Sequence, residues 1–197
     1  VGVSKSIEAL GRGFIGHPRN DRLREKLHAG TLSKDDFYRQ LLCIVYRLLF
    51  LFVAEDRELL HSPDAAKDAC DLYDTHYSTR RLRELALKMR GSKHADLWHS
   101  LSLVFSALGK NDGCPQLGLC GLGSFLWRSG STAALLGPHQ SNGDEPVFIT
   151  NDDLLQAVRE LAYVEQDRVL RTVDYRNLGS EELGSVYESL LELHPQM

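Results

Sequence analysis

The chain has 197 residues, 43% of them hydrophobic and 25% charged, with a formal net charge of -4. That length suits one domain, and the balance is that of an ordinary globular protein rather than a disordered or fibrous one. The acidic total excludes a protein that coats nucleic acid with its whole surface, but it leaves room for one basic face.

Helical signals dominate in chain order. "SKSIEALGRGF" spaces Ile7, Leu10 and Phe14 for one helix face, and the helix is expected to end in the glycine-rich "GRGFIG" turn. "TLSKDDFYRQLL" supplies Ser33 as N-cap with Asp36 three residues on, close to a capping box. The run that follows, "YRQLLCIVYRLLFLFVAEDRELL", is apolar from Leu41 to Ala54 except around Arg47. Phe37, Leu41, Ile44, Leu48, Leu51 and Phe52 make one face, and Leu42, Val45, Leu49 and Val53 make a second. A helix that is apolar nearly all round belongs at the centre of a bundle. A membrane span needs about 20 mostly apolar residues; this run is shorter, carries a cation in its middle and is flanked by charge, so no membrane partner is expected.

"STRRLRELALKM" puts Leu82, Leu85, Ala86 and Met89 on one face, and "HADLWHSLSLVFSALG" does the same for Leu97, Trp98, Leu101, Val104, Phe105 and Leu108, with Gly109 as C-cap. "TNDDLLQAVRELAYV" opens on Thr150 and Asp153 in capping-box spacing and directs Leu154, Val158, Leu161 and Ala162 inward. "SEELGSVYESLLEL" has Ser180 as cap and Leu183, Val186, Tyr187, Leu190 and Leu191 as its stripe. From about 109 to 148 the chain turns rich in Gly, Pro, Ser and Asn. Leu117, Leu119, Leu122, Phe125, Leu126 and Trp127 make this stretch too apolar for a free linker, so it is expected to lie against the bundle, with a flexible loop near 129 to 146. The predicted fold is all-α: an irregular helical bundle around a central buried helix at about 33 to 60, with at most a short hairpin, in one domain spanning 1 to 197.

Several motifs are weak in context. Gly11, Gly13 and Gly16 spell G-x-G-x-x-G, but no strand precedes them. Cys114 and Cys120, with His139 beyond, lack the paired spacing of a zinc site, and the other histidines follow no ligand pattern. Pro63–Asp64 is followed by no Asp/Glu-x-Lys element, and there is no G-x-S-x-G elbow or Walker loop. Neither a catalytic nor a metal-binding residue is expected in this chain. Four cysteines in no framework spacing, and no secretory leader, suggest a cytoplasmic protein; a first residue of Val1 suggests a piece of a longer one. Arg47, Glu55, Asp56 and Arg57 gather at or near the core helix and are expected to form structural ion pairs, because a charge near a core needs a partner. From Ser78 to Lys93, Arg80, Arg81, Arg83, Lys88, Arg90 and Lys93 face one acid, Glu84, for a local charge of +5. These six are the candidates for contact with a DNA backbone.

Three segments, "YRQLLCIVYRLLFLFVAEDRELL", "LGLCGLGSFLW" and "LGSEELGSVYESLLEL", together resemble the helical region upstream of the catalytic domain in large adenine-specific DNA methyltransferases. These are the type IIG restriction-and-modification enzymes and their phage-defence relatives, and the likeness covers about residues 32 to 193. The resemblance implies a non-catalytic connector. It would pack on a methyltransferase domain downstream in the same chain and help enclose double-stranded DNA, with S-adenosylmethionine held by that domain and no cofactor here. It also implies a glycine-rich loop and an Asn-Pro-Pro motif beyond Met197. The competing reading is a helical protein–protein interaction domain whose basic helix docks an acidic partner without touching nucleic acid.

Overall fold

The computed structural model describes residues 2–138, 145–166 and 169–177. Seven α-helices are present among them: α1 (Gly2–Gly16), α2 (Asp21–His28), α3 (Lys34–Asp56), α4 (Lys67–His76), α5 (Thr79–Leu87), α6 (Asp96–Gly109) and α7 (Asn151–Ala162). Two short strands follow, β1 (Tyr163–Gln166) and β2 (Val169–Thr172), paired antiparallel with Tyr163 opposite Thr172. The fold is an all-α bundle with one small hairpin. The hairpin begins where helix was expected to continue to Val164, because α7 stops at Ala162.

The central helix is α3. Ser33 caps it by accepting from the Asp36 amide at 3.0 Å. Ile44, Val45, Leu48, Leu51 and Phe52 are wholly buried. Among the described residues α3 is the one helix long and apolar enough to cross a membrane, but it forms the core of the bundle, ringed by α1, α5 and the irregular segment. Of the other expected faces, that of α6 is buried throughout, as are Leu154, Val158, Leu161 and Ala162 of α7. Thr150 caps α7 as its spacing predicts, accepting from the Asp153 amide at 3.1 Å. The expected helix at 180 to 193 lies outside the described residues.

The glycine-rich "GRGFIG" is not a turn. It lies inside α1, which crosses α7 so closely that a Cβ on Gly13 would sit 2.6 Å from Asp153 Cβ and 2.7 Å from Ile149 Cγ1. Packing between helices, not a nucleotide, explains that glycine. Gly109 likewise serves close approach rather than a left-handed cap: a Cβ there would meet the Trp127 carbonyl oxygen at 2.5 Å. Buried Asn20 joins the end of α1 to the stretch before α7. Its amide donates to the carbonyls of Phe14 and Phe148, both at 2.7 Å, while its oxygen accepts from the Phe148 amide at 3.0 Å.

The segment between α6 and α7 lies against the bundle as expected, with Leu117, Leu119 and Trp127 buried and Phe125 exposed. Its later part is more ordered than the loop the sequence suggests. Residues Ser129–Leu135 form 3-10 turns, and Thr132, Leu135 and Leu136 are buried. Arg47 is the reason. The residue is 1% exposed, and its guanidinium finds no carboxylate among the described residues, contrary to the expected ion pair. Instead Nε donates to the Leu126 carbonyl at 2.8 Å, one terminal nitrogen to the Arg128 carbonyl at 3.0 Å, and the other to Thr132 Oγ1 at 3.2 Å. Phe105 and Trp127 lie beside it, 5.1 and 5.9 Å from ring centre to guanidinium carbon. Carbonyl dipoles and aromatic faces thus take the place of a counter-ion.

Truncating Arg47→Ala is therefore expected to destabilise the fold by more than about 3 kcal/mol, since it opens a cavity and leaves three acceptors, buried Thr132 among them, without their donor. Arg47→Lys keeps the charge but not the planar fork and is expected to lose about 1–3 kcal/mol. Denaturant unfolding of both variants measures the difference.

Candidate nucleic-acid interface

The basic stretch falls on α5 and the turn after it, and the C-terminal end of α3 holds that helix in place. Glu55, 5% exposed, turns its carboxylate onto the first turn of α5. It accepts from the Thr79 amide at 2.7 Å, the Arg80 amide at 2.8 Å and the Tyr73 hydroxyl of α4 at 2.7 Å. It is thus an anion seated on a helix N-terminus, not the expected ion-pair partner. Ser78 adds the local cap, accepting from the Arg81 amide at 3.2 Å.

Asp56 makes the true ion pair, and its partner is Arg83. The two form a fork at 2.6 and 3.0 Å, with the Arg83 side chain 8% exposed and its guanidinium carbon 5.0 Å from the centre of the Phe52 ring. Arg83 is therefore structural and drops out of the DNA-backbone candidates. Arg57, at the C-cap of α3, donates from Nε to the Arg176 carbonyl at 3.0 Å. Of Arg47, Glu55 and Asp56, it is Asp56 that the expectation of an ion pair describes well.

The remaining candidates lie outward: Arg80, Lys88, Arg90 and Lys93 are exposed and Arg81 is half-buried. With Arg83 neutralised, five cations face Glu84 along this surface. Arg80 also reaches back to the Glu55 carbonyl at 3.3 Å. Lys93 is held from both sides, since the Asp152 amide donates to the Ser92 carbonyl at 3.1 Å and the Asn151 amide to the His94 carbonyl at 2.7 Å.

Arg80, Arg81, Glu84, Leu85 and Lys88 form one wall of an open groove of about 360 Å³, and Asp74, Thr75 and Ser78 form the other. The groove itself is of mixed sign; the excess of cation lies along its α5 wall and past its end. The α4 wall escapes sequence reading because "KDACDLYDTH" is polar, with Tyr73 its one buried residue. Met89 departs from expectation too. Helical spacing puts it on the inward face of α5, but that helix ends at Leu87, and Met89 is 77% exposed with φ +50°.

No family model, curated protein or solved structure matches this chain. Chemistry at the site therefore has to be read from its residues. Among the described residues no three His, Cys, Asp or Glu side chains gather as metal ligands, and the four cysteines are unbridged. The glycine motif, for its part, is interior to α1. What the surface offers is hydrogen-bond donors and positive charge on α5 and the turn that follows it.

Burial pushes the Glu55 carboxyl above its ordinary range, and the bonds from Thr79, Tyr73 and Arg80 pull partly back. Native Glu55 thus binds its proton more tightly than the unfolded chain does. Its contribution to stability is largest at acid pH and falls as pH rises from about 4.5 through the raised value. Glu55→Gln is expected to flatten that part of the stability–pH curve. It should also destabilise the fold by about 1–3 kcal/mol, because an amide NH2 would face the Arg80 N–H. Thermal unfolding from pH 4 to 8 reads both effects.

Proposed function

We propose that this chain is a non-catalytic helical connector of a DNA adenine methyltransferase of the restriction-modification or phage-defence class. It packs on a methyltransferase fold downstream in the same polypeptide and helps enclose double-stranded DNA. The carrying observation is the outward set Arg80 and Arg81 on α5 with Lys88, Arg90 and Lys93 just past its end, on a helix whose N-terminus is locked by Glu55 and whose middle is locked by Asp56. Phosphate recognition uses clustered cationic donors of this kind. The sequence likeness described above supplies the parentage. S-adenosylmethionine belongs to the downstream domain in this reading, and the setting is cytoplasmic.

The energetics suit that role. Flipping a base out of a duplex costs a few kcal/mol, which backbone contacts and enclosure must offset. A rigid body with one basic edge supplies such contacts while its acidic remainder meets solvent or protein.

The test is duplex binding by the full-length polypeptide across a salt series, against a variant with Arg80, Arg81 and Lys88 changed to Ala. Arg83 stays, because its removal would unpair buried Asp56. Binding should weaken on all sequences alike, and the salt slope should become shallower by up to about 0.9 for each phosphate no longer neutralised. An unchanged slope would replace this reading with a protein-interaction domain docking an acidic partner.

A further inference from the structure

The end of α5 carries a side chain that neither the core nor the backbone explains. The Arg90 amide donates to the Leu85 carbonyl at 3.1 Å and the Met89 amide to the Ala86 carbonyl at 3.3 Å. That is a Schellman closure, with Met89 at the left-handed position where glycine is the usual residue. Methionine there is disfavoured by its Cβ, and its side chain gains no burial in return, being 77% exposed. Leu87, two residues earlier, is 47% exposed. Lys88 and Arg90 flank the methionine directly, with Lys93 beyond.

The base beneath it is fixed. Arg159 of α7 donates to the carbonyls of Ala86 and Leu87 at 3.2 and 3.4 Å, and the Tyr163 hydroxyl to that of Arg83 at 3.0 Å. An apolar tip on a fixed stem between cations is the arrangement by which proteins enter a duplex: the cations seat on phosphates and the apolar side chain slides between base pairs.

Resting on the DNA-binding reading above, we propose that Met89 is a wedge that inserts into a base step of bound duplex and unstacks it, with Lys88 and Arg90 seated on the adjoining phosphates. Such a wedge would lower the barrier to extruding a base by loosening its stack from outside the catalytic domain.

The probe is a duplex carrying 2-aminopurine, which brightens when unstacked, bound by full-length polypeptide with wild-type Met89, Met89→Gly or Met89→Leu. Wild type and Met89→Leu should brighten the probe. Met89→Gly should melt at a higher temperature, since glycine suits the left-handed position, yet bind duplex about tenfold more weakly with an unchanged salt slope and a dark probe. A Met89→Gly protein that binds and brightens like wild type overturns the wedge while leaving the phosphate contacts intact. Absence of salt-dependent duplex binding by wild type removes the DNA reading and the wedge with it. If Met89→Gly weakens binding to poly-glutamate but not to duplex, the tip instead serves an acidic polypeptide and the wedge is overturned.

Discussion

One buried cation in the central helix organises this fold. Arg47 sits at the middle of the longest described helix, in its apolar run, where an unpaired charge would cost more than the domain could bear. The protein solves this with backbone rather than with an acid. Two carbonyls, one hydroxyl and two aromatic rings converge on the guanidinium, and all five come from α6 or from the irregular segment that follows it. The segment needs the arginine as much as the arginine needs the segment. A stretch with little regular hydrogen bonding has two of its carbonyls satisfied and its course over α3 fixed by one side chain.

The same helix then organises the basic edge. One turn spans the successive carboxylates Glu55 and Asp56, which take different tasks: the first is seated on the N-terminus of α5, the second grips Arg83 along its side. Orientation and position of α5 are thus both set from α3. The mid-helix cation and the terminal anions make α3 a spine with two attachment points, one for the irregular segment and one for the basic helix. Burial at both points keeps water from competing for these bonds.

Much of this is legible in the sequence. The caps at Ser33 and Thr150, the all-round apolar α3 and the stripes of α6 and α7 follow from side-chain spacing, and all are present. What stays hidden shares a physical reason. The partners of Arg47 are main-chain carbonyls, which leave no signature in residue types. Arg83 reads as one more surface cation until Asp56, 27 positions earlier, is brought to it. Short polar helices such as α2 and α4 bury one side chain each, so they offer no stripe to find. The left-handed end of α5 is invisible because methionine, unlike glycine, gives no warning of it.

The close crossing of α1 and α7 at Gly13 carries a consequence for how the protein is made. These two helices lie more than 130 positions apart in the chain, so α1 emerges from the ribosome long before its partner exists. At about 5–20 residues per second the wait is roughly 7–27 s. During that interval Ile7, Leu10 and Phe14 lack the surface that will cover them, and the nascent amino-terminal half must either be shielded by a chaperone or find transient cover on α3. Non-local closure of this kind slows folding, and it leaves α7, synthesised late, to seal the body.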